Sequence, residues 1–432
     1  MPAPILRRAA RFFSYTPLLG FSAALSFIKL LLYAHLVQAD AFGELSQTLL
    51  ISSLFCVFGS LGVELLAHRE LPKLFAYRRF RRACTLITMG LYVTTAMGLA
   101  AAVIGLLVSV YVLKISWIVP IVGLTHGWAQ QVFLLSLIES RSRLDMMRYA
   151  RQALLRTILT ISAGATALYA GAGVIGAVLA EAGVTLAIFL YLIPTTWRAC
   201  DLALPTQFKL AARGLSKMDW RASGTLLLNN LVSFFSFGAD RWLATAYLTL
   251  TQFGHYSFAW MALAASQSAQ FLLNAGIFPL LAHREATRPG KGARKLAIAV
   301  SFGLVVAGGI LAVLLFPVAR IAIAKLYPQH VEALPLLLPL MLAAVFRLSD
   351  FWSSYLIIMK RERVVLIVQA AVLVASVSAW AIWTLTGWSQ PSAHSFSLLA
   401  LATATLSYVC LAAATFTLRA VSYTHLTLPT KA

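Results

Sequence analysis

The sequence predicts an all-α polytopic membrane protein, with twelve transmembrane helices in two pseudo-symmetric six-helix bundles around a central cavity. Three observations predict it. Hydrophobic residues make up 60% of the 432 and charged residues 11%, with a mean hydropathy of +0.83; so few charges cannot build the polar surface of a soluble chain. Apolar runs of membrane length alternate with short basic segments. The six residues Leu65–Glu70, Leu-Leu-Ala-His-Arg-Glu, recur as Leu280–Glu285. Each copy closes an apolar stretch that opens on Phe-Gly, which predicts a duplicated half.

Taken in order, the spans of the first half fall at 15–36, 45–66, 83–113, 117–138, 152–169 and 173–193. Those of the second fall at 224–246, 254–281, 296–319, 334–358, 364–388 and 396–418. Each comes near the roughly 20 apolar residues a crossing needs, and the third is long enough to tilt or project. Phe42-Gly43 and Phe253-Gly254 mark the turn between first and second spans in each half. Leu137-Ile138 with Arg141 and Arg143 resembles Leu356-Ile357 with Lys360 and Arg363, at the end of each fourth span. Pro335 and Pro339 predict a kink in the tenth span just before Arg347. The polar stretch 198–221 reads as a linker between bundles at 1–197 and 222–420. The ending at 421–432 follows a complete span abruptly and resembles translated sequencing-adapter read-through, so it is set aside from the fold.

Charge tests this layout independently. Of 35 Lys and Arg residues, 29 fall on one set of alternate connections, against Lys114, Arg320 and Lys325 on the other. That asymmetry predicts both termini in the cytoplasm. The first span outruns an h-region, so no cleavable signal peptide is expected. A net charge of +21 spread over short clusters fits a membrane surface and excludes the single basic face of a nucleic-acid binder.

Three bases remain inside spans. Arg347 lies ~17 Å from either end of its predicted helix, too deep to snorkel; it faces protein or water, either as a substrate contact or paired with Asp350 three residues on. Lys29 lies ~10 Å and Arg241 ~7 Å from an outer end, where snorkelling competes, and Arg241 beside Asp240 reads as a gating or structural pair. Glu181 sits mid-span with no base within two turns: a protonated structural carboxyl, or the site of a coupling cation or proton. Glu64, near the cytoplasmic end of its span, reaches the interface or pairs with Arg69. Gln130 and Gln131, Asn229 and Asn230, and Gln267, Gln270 and Asn274, the last three on one helical face, suit sugar hydroxyls; the plainer alternative is interhelical hydrogen bonding, worth ~0.6 kcal/mol. Trp128 and Trp260 suit sugar stacking or an interfacial belt.

Other patterns point away from catalysis. Gly171 to Gly176 fits G-x-G-x-x-G, but no strand precedes it and it falls in a turn between spans. Cys56, Cys84, Cys200 and Cys410 lack C-x-x-C spacing and the histidines form no ligand cluster, so neither a disulfide framework, a metal site nor a cofactor is expected.

The run Ala41-Phe42-Gly43-Glu44 through Leu61-Gly62-Val63-Glu64 to His68-Arg69-Glu70 resembles the second-span signature of bacterial lipid-linked oligosaccharide flippases, the O-antigen and polysaccharide exporter branch of the multidrug/oligosaccharidyl-lipid/polysaccharide (MOP) superfamily. Asn229-Asn230, Asp240-Arg241, Phe253-Gly254-His255-Tyr256 and Pro279 resemble its seventh and eighth spans. Residues 327–333 resemble its ninth-to-tenth turn, with Tyr327-Pro328 standing where that family more often has glycine. The likeness runs from about residue 13 to 418.

It implies a protein of the bacterial inner membrane that turns an undecaprenyl-pyrophosphate-linked oligosaccharide from the cytoplasmic to the periplasmic leaflet by alternating access, for surface polysaccharides such as lipopolysaccharide. The implied partners are that lipid-linked substrate, membrane lipids and a polysaccharide polymerase, with no enzyme activity and no nucleic acid. A drug or cation antiporter of the same superfamily is the alternative; it calls for an acidic, aromatic cavity, and the intramembrane bases Lys29, Arg241 and Arg347 against Asp240, Asp350 and Glu181 leave no acidic excess. A membrane glycan polymerase or ligase is the third reading; it calls for a large external loop with catalytic groups, and the connections here are short.

Overall fold

The computed structural model describes residues 3–108, 116–197, 204–287, 292–386 and 390–417; the tail at 421–432, Cys200 and Lys114 lie outside them. Fifteen α-helices and short 3-10 turns make up the secondary structure of the described residues. Among the described residues, helices run through each of the twelve predicted spans, two of them with an interruption. Among the described residues nine stretches are long and apolar enough to cross a bilayer, and the chain is a multi-pass membrane protein.

Two compact units form, one of Met1–Phe234 with Thr249–Ser257 and one of Phe235–Leu248 with Phe258–Ala432. The first holds α1 (Ala3–Leu36), α2 (Ala39–Phe58), α3 (Val63–Ala76), α4 (Phe80–Val108), α5 (Ile118–Ser142), α6 (Met146–Tyr169), α7 (Gly173–Trp197) and α8 (Leu204–Gly214). It also takes in the first half of α9 (Trp220–Tyr247) and the opening turns of α10 (Leu250–Thr287). α5 is its centre and packs on α2, α4 and α7. The cause is local sequence: Gly123 and Gly127, spaced G-x-x-x-G, face α2 so closely that a methyl on either would sit 2.7 Å from the Thr48 carbonyl or 2.8 Å from the Ser52 carbonyl. Below that crossing, Leu71, Ile87, Leu135, Ile138 and Trp197 close an apolar core among α3, α4, α5 and α7.

The predicted second span is not one helix. It breaks at residues 59–62, where Leu61 and Gly62 take left-handed backbone, φ 47° and 78°, a conformation that glycine adopts freely. The linker segment carries α8, packed on α4. Asp145 caps α6 by accepting from the Arg148 amide at 3.1 Å. The Gly171 to Gly176 pattern is a turn opening α7, with Gly171 and Gly173 at positive φ.

The second unit holds the rest of α9 and α10 with α11 (Gly292–Leu326), α12 (Leu334–Leu348), α13 (Trp352–Ile358), α14 (Glu362–Leu385) and α15 (Ala393–Thr417). Phe351, Trp352, Tyr355, Leu356 and Leu411 centre its core. The tenth span is interrupted after Arg347, at residues 349–351; Pro335 stands in the first turn of α12 and Pro339 inside it. The two hexapeptide copies lie in α3 and α10, and each buries the same leucine, Leu66 and Leu281. Cys84 is disulfide-bonded, a correction to the absence of pairing expected from spacing, while Cys56 and Cys410 are free.

Candidate functional site

In the first unit the structure joins two residues that the sequence could only list separately. Lys29, on α1, places Nζ 2.6 Å from Oε2 of Glu181 on α7. α1 and α7 are brought to one place because both pack on α6. The Tyr33 hydroxyl, one helical turn beyond Lys29, donates to the other carboxylate oxygen at 2.7 Å. Glu181 is therefore held by a lysine and a phenol from another helix, partners that its own helix does not show. Gly164 on α6 makes room, since any side chain there would strike the Tyr33 hydroxyl.

Two further bases complete the cluster. His126 of α5 brings Nε2 to 3.6 Å from Glu181 Oε2, and its Nδ1 is 2.8 Å from the Ser52 hydroxyl of α2. Arg156 of α6 donates from Nε to Thr185 Oγ1 at 3.4 Å, stacks 5.2 Å from the Phe133 ring and lies within electrostatic reach of Glu181. Lys29 thus pairs directly with Glu181, and Arg156 adds a second basic side chain nearby. Buried charge in a bilayer persists only when paired or functional. Glu64 bonds the Gln131 amide and lies 3.8 Å from His68; its expected partner, Arg69, pairs with Glu70 instead. Gln130 is half-buried beside Gln131.

In the second unit Arg347 occupies the last turn of α12, where free carbonyl ends favour a cation. Nη1 donates to the Phe237 carbonyl at 2.5 Å, and Nη2 lies 3.9 Å from Asp240 Oδ1. Phe237 and Asp240 are three residues apart on α9, hence on one face. Asp240 also accepts from Trp260 Nε1 at 3.0 Å, and Arg241 stacks on the same indole, 4.4 Å from its centroid. Trp260 is buried.

The expected pairing of Arg347 with Asp350 is corrected: Asp350 accepts from the Ser353 amide and hydroxyl at 3.2 and 2.7 Å, at the start of α13. Because the span is broken between them, each charge complements the dipole of its own half-helix. A narrow cavity lined by Phe237, Arg347, Asp350, Gln369, Thr403 and Tyr408 lies against this break. Asn274 accepts from Ser354 at 3.2 Å; Gln267, Gln270 and Asn230 are partly exposed.

No protein-family model and no curated protein matches the chain. Solved structures do. An inward-facing multidrug resistance MATE-family transporter of the MOP superfamily aligns with a TM-score of 0.59 at 12% identity, over 90% of this chain and 92% of that one. The lipid II flippase MurJ, in an inward closed conformation, aligns with a TM-score of 0.66 at 12% identity, over 93% and 87%. The eukaryotic MATE transporter AtDTX14 aligns with 0.63 at 12%, over 96% of each chain. The fold is like that of these MATE transporters and of the flippase MurJ.

Within that fold, sequence reading missed Arg156, His126 and Tyr33. Arg156 follows Arg148 and Arg151, on which α6 opens, and that charge run hides how far the helix has advanced. His126 carried a usable signal: it is an ionisable residue inside a span, set between Gly123 and Gly127 where two helices must touch. Tyr33 had none, since a tyrosine one turn from a lysine is unremarkable until the partner carboxylate arrives from another helix.

Proposed function

We propose that the chain is a transporter that turns an undecaprenyl-pyrophosphate-linked oligosaccharide from the cytoplasmic to the periplasmic leaflet of a bacterial inner membrane by alternating access. The observation that carries this reading is the Lys29, Arg156 and Glu181 cluster: two basic side chains deep in a fold like that of MurJ, restrained by one internal carboxylate. A pyrophosphate entering here replaces Glu181 on Lys29 and gains Arg156, while Tyr33 and His126 keep Glu181 hydrogen-bonded. The exchange trades one buried ion pair for another, so the lysine is never left bare in low dielectric. Charge-assisted bonds to phosphate are the stronger kind. Arg347 and Arg241 belong to the same reading as cations of the second half; Gln267, Gln270, Asn274, Asn230 and Gln130 are its sugar contacts, and Asp240, Asp350 and Glu64 its internal counter-anions.

The test is accumulation of lipid-linked repeat units on the cytoplasmic side. Cells carrying Lys29→Ala or Arg156→Gln at wild-type membrane abundance are expected to accumulate them, as depleted cells do; normal export in both variants overturns the reading. A drug or cation antiporter is favoured by a different observation, the carboxylates Glu181 and Asp240 each bonded to an aromatic side chain. Efflux of cationic dyes that is lost in Glu181→Gln, with unchanged glycan export, selects it.

A further inference from the structure

An apolar cleft runs along α4 in the first unit. Its inner part is walled by Leu91, Phe189, Trp197 and Phe208, from α4, α7 and α8, around about 560 Å³ of open space. The outer part, about 690 Å³, is walled by Leu99, Ala102 and Leu124. Thr95 and Trp128 border both parts, so the two are one continuous groove. Its polar groups are turned on the protein itself: Trp128 Nε1 donates to Thr95 Oγ1 at 3.3 Å, and Thr125 donates to the Ile121 carbonyl at 2.8 Å. What remains facing the groove is hydrocarbon.

One end is strongly basic. α8 lies antiparallel on α4: Phe208 meets the Tyr92 ring edge-on at 5.5 Å, and a methyl on Gly214 would touch Thr85 and Met89. That packing puts the exposed Arg213 of α8 near Thr85, about one turn from the exposed Arg81 and Arg82 at the start of α4, and the exposed Lys209 next to Phe208 at the end of the groove. From Leu91 to Ala102 the groove follows α4 for about 16 Å at ~1.5 Å per residue, near half of the ~30 Å hydrocarbon thickness. It is as long as one leaflet is deep.

We propose that this groove is a site for one anionic phospholipid of the leaflet on the basic side, its acyl chain lying from Phe208 to Ala102 and its phosphate on Lys209 and Arg213. Charge complementarity selects the headgroup, and the one-leaflet length selects a phospholipid chain over a long polyprenyl chain. Depth-limited grooves with a basic rim match what juxtamembrane Lys and Arg clusters recognise.

The full-length protein in detergent, titrated with phosphatidylglycerol brominated on its acyl chain, tests this through tryptophan quenching. Subtracting the signal of Trp128→Phe isolates the indole on the groove floor. Saturable quenching of Trp128 is expected, about tenfold tighter for phosphatidylglycerol than for brominated phosphatidylcholine, the scale of one or two charge contacts. The surface variant Lys209→Glu with Arg213→Glu is expected to remove that preference, and Ala102→Trp, at a half-buried position on the groove wall, to weaken quenching with either lipid. Equal affinity for the two lipids, no saturable Trp128 signal, or displacement by a polyprenyl phosphate at lower concentration than by phosphatidylglycerol each overturns the proposal.

Discussion

Gly43 and Gly254 touch reciprocally. A methyl on Gly43 would run into the Leu250 carbonyl and lie 3.2 Å from the Gly254 amide; a methyl on Gly254 would run into the Ala39 carbonyl and lie 3.1 Å from the Gly43 amide. These are the glycines of the two Phe-Gly repeats, so the duplicated motif packs on its own copy. Phe42 and Phe253 are fully buried beside them. Thr249 and Gln252 hold the start of α10 with a reciprocal capping box at 3.3 Å.

Because backbone meets backbone there, neither glycine can yield by rotating a side chain. Gly43→Val or Gly254→Val is expected to destabilise the protein by the ~1–3 kcal/mol of an overpacked contact or more. A clear fall in the unfolding temperature in detergent checks this, and a wild-type value would show that the close approach is not kept in the membrane.

Lys29 and Glu181 are expected to couple. Removing one partner strands the other in a buried site, a cost of about 3–5 kcal/mol. Lys29→Ala should therefore lower thermal stability, and Lys29→Ala with Glu181→Gln should recover most of the loss while glycan export stays abolished. Additive losses in that double-mutant cycle would contradict the ion pair.

Arg347 bears structural load as well as charge. Arg347→Ala is expected to reduce stability and export together, because Asp240 loses its cation and the Phe237 carbonyl its second donor. Arg347→Lys should be intermediate, since an ammonium cannot serve both partners in the fixed geometry of a guanidinium. Loss of export at unchanged stability would make the residue purely a substrate contact.

Topology is open to a direct measurement. In a background without native cysteines, Ala172→Cys in the exposed turn before α7 is expected to react with an impermeant thiol reagent in intact cells. Ser216→Cys, in the exposed segment after α8, should react only after permeabilisation. The reverse pattern would invert the assignment of both termini to the cytoplasm.

Helix existence was legible because a bilayer leaves a backbone few alternatives: every span must satisfy its own amides, so apolar length alone marks it. Helix interruption was less so. Pro335 and Pro339 drew the expected kink, yet α12 runs through Pro339 and ends at Leu348, after Arg347, while the break at residues 59–62 fell inside a run that hydropathy treats as continuous.

By itself, the sequence determined that this is a duplicated, all-helical membrane chain, with Lys29, Glu181 and Arg347 committed to its interior, because burial in hydrocarbon is a property of single residues and their neighbours along the helix. Partnership was decided only by tertiary structure. Lys29 and Glu181 are 152 residues apart, and Arg347 lies against Asp240 of another helix while the nearer Asp350 accepts from Ser353 at the start of α13. Pairing energy depends on distances of a few ångströms between helices, which no periodicity within one helix records.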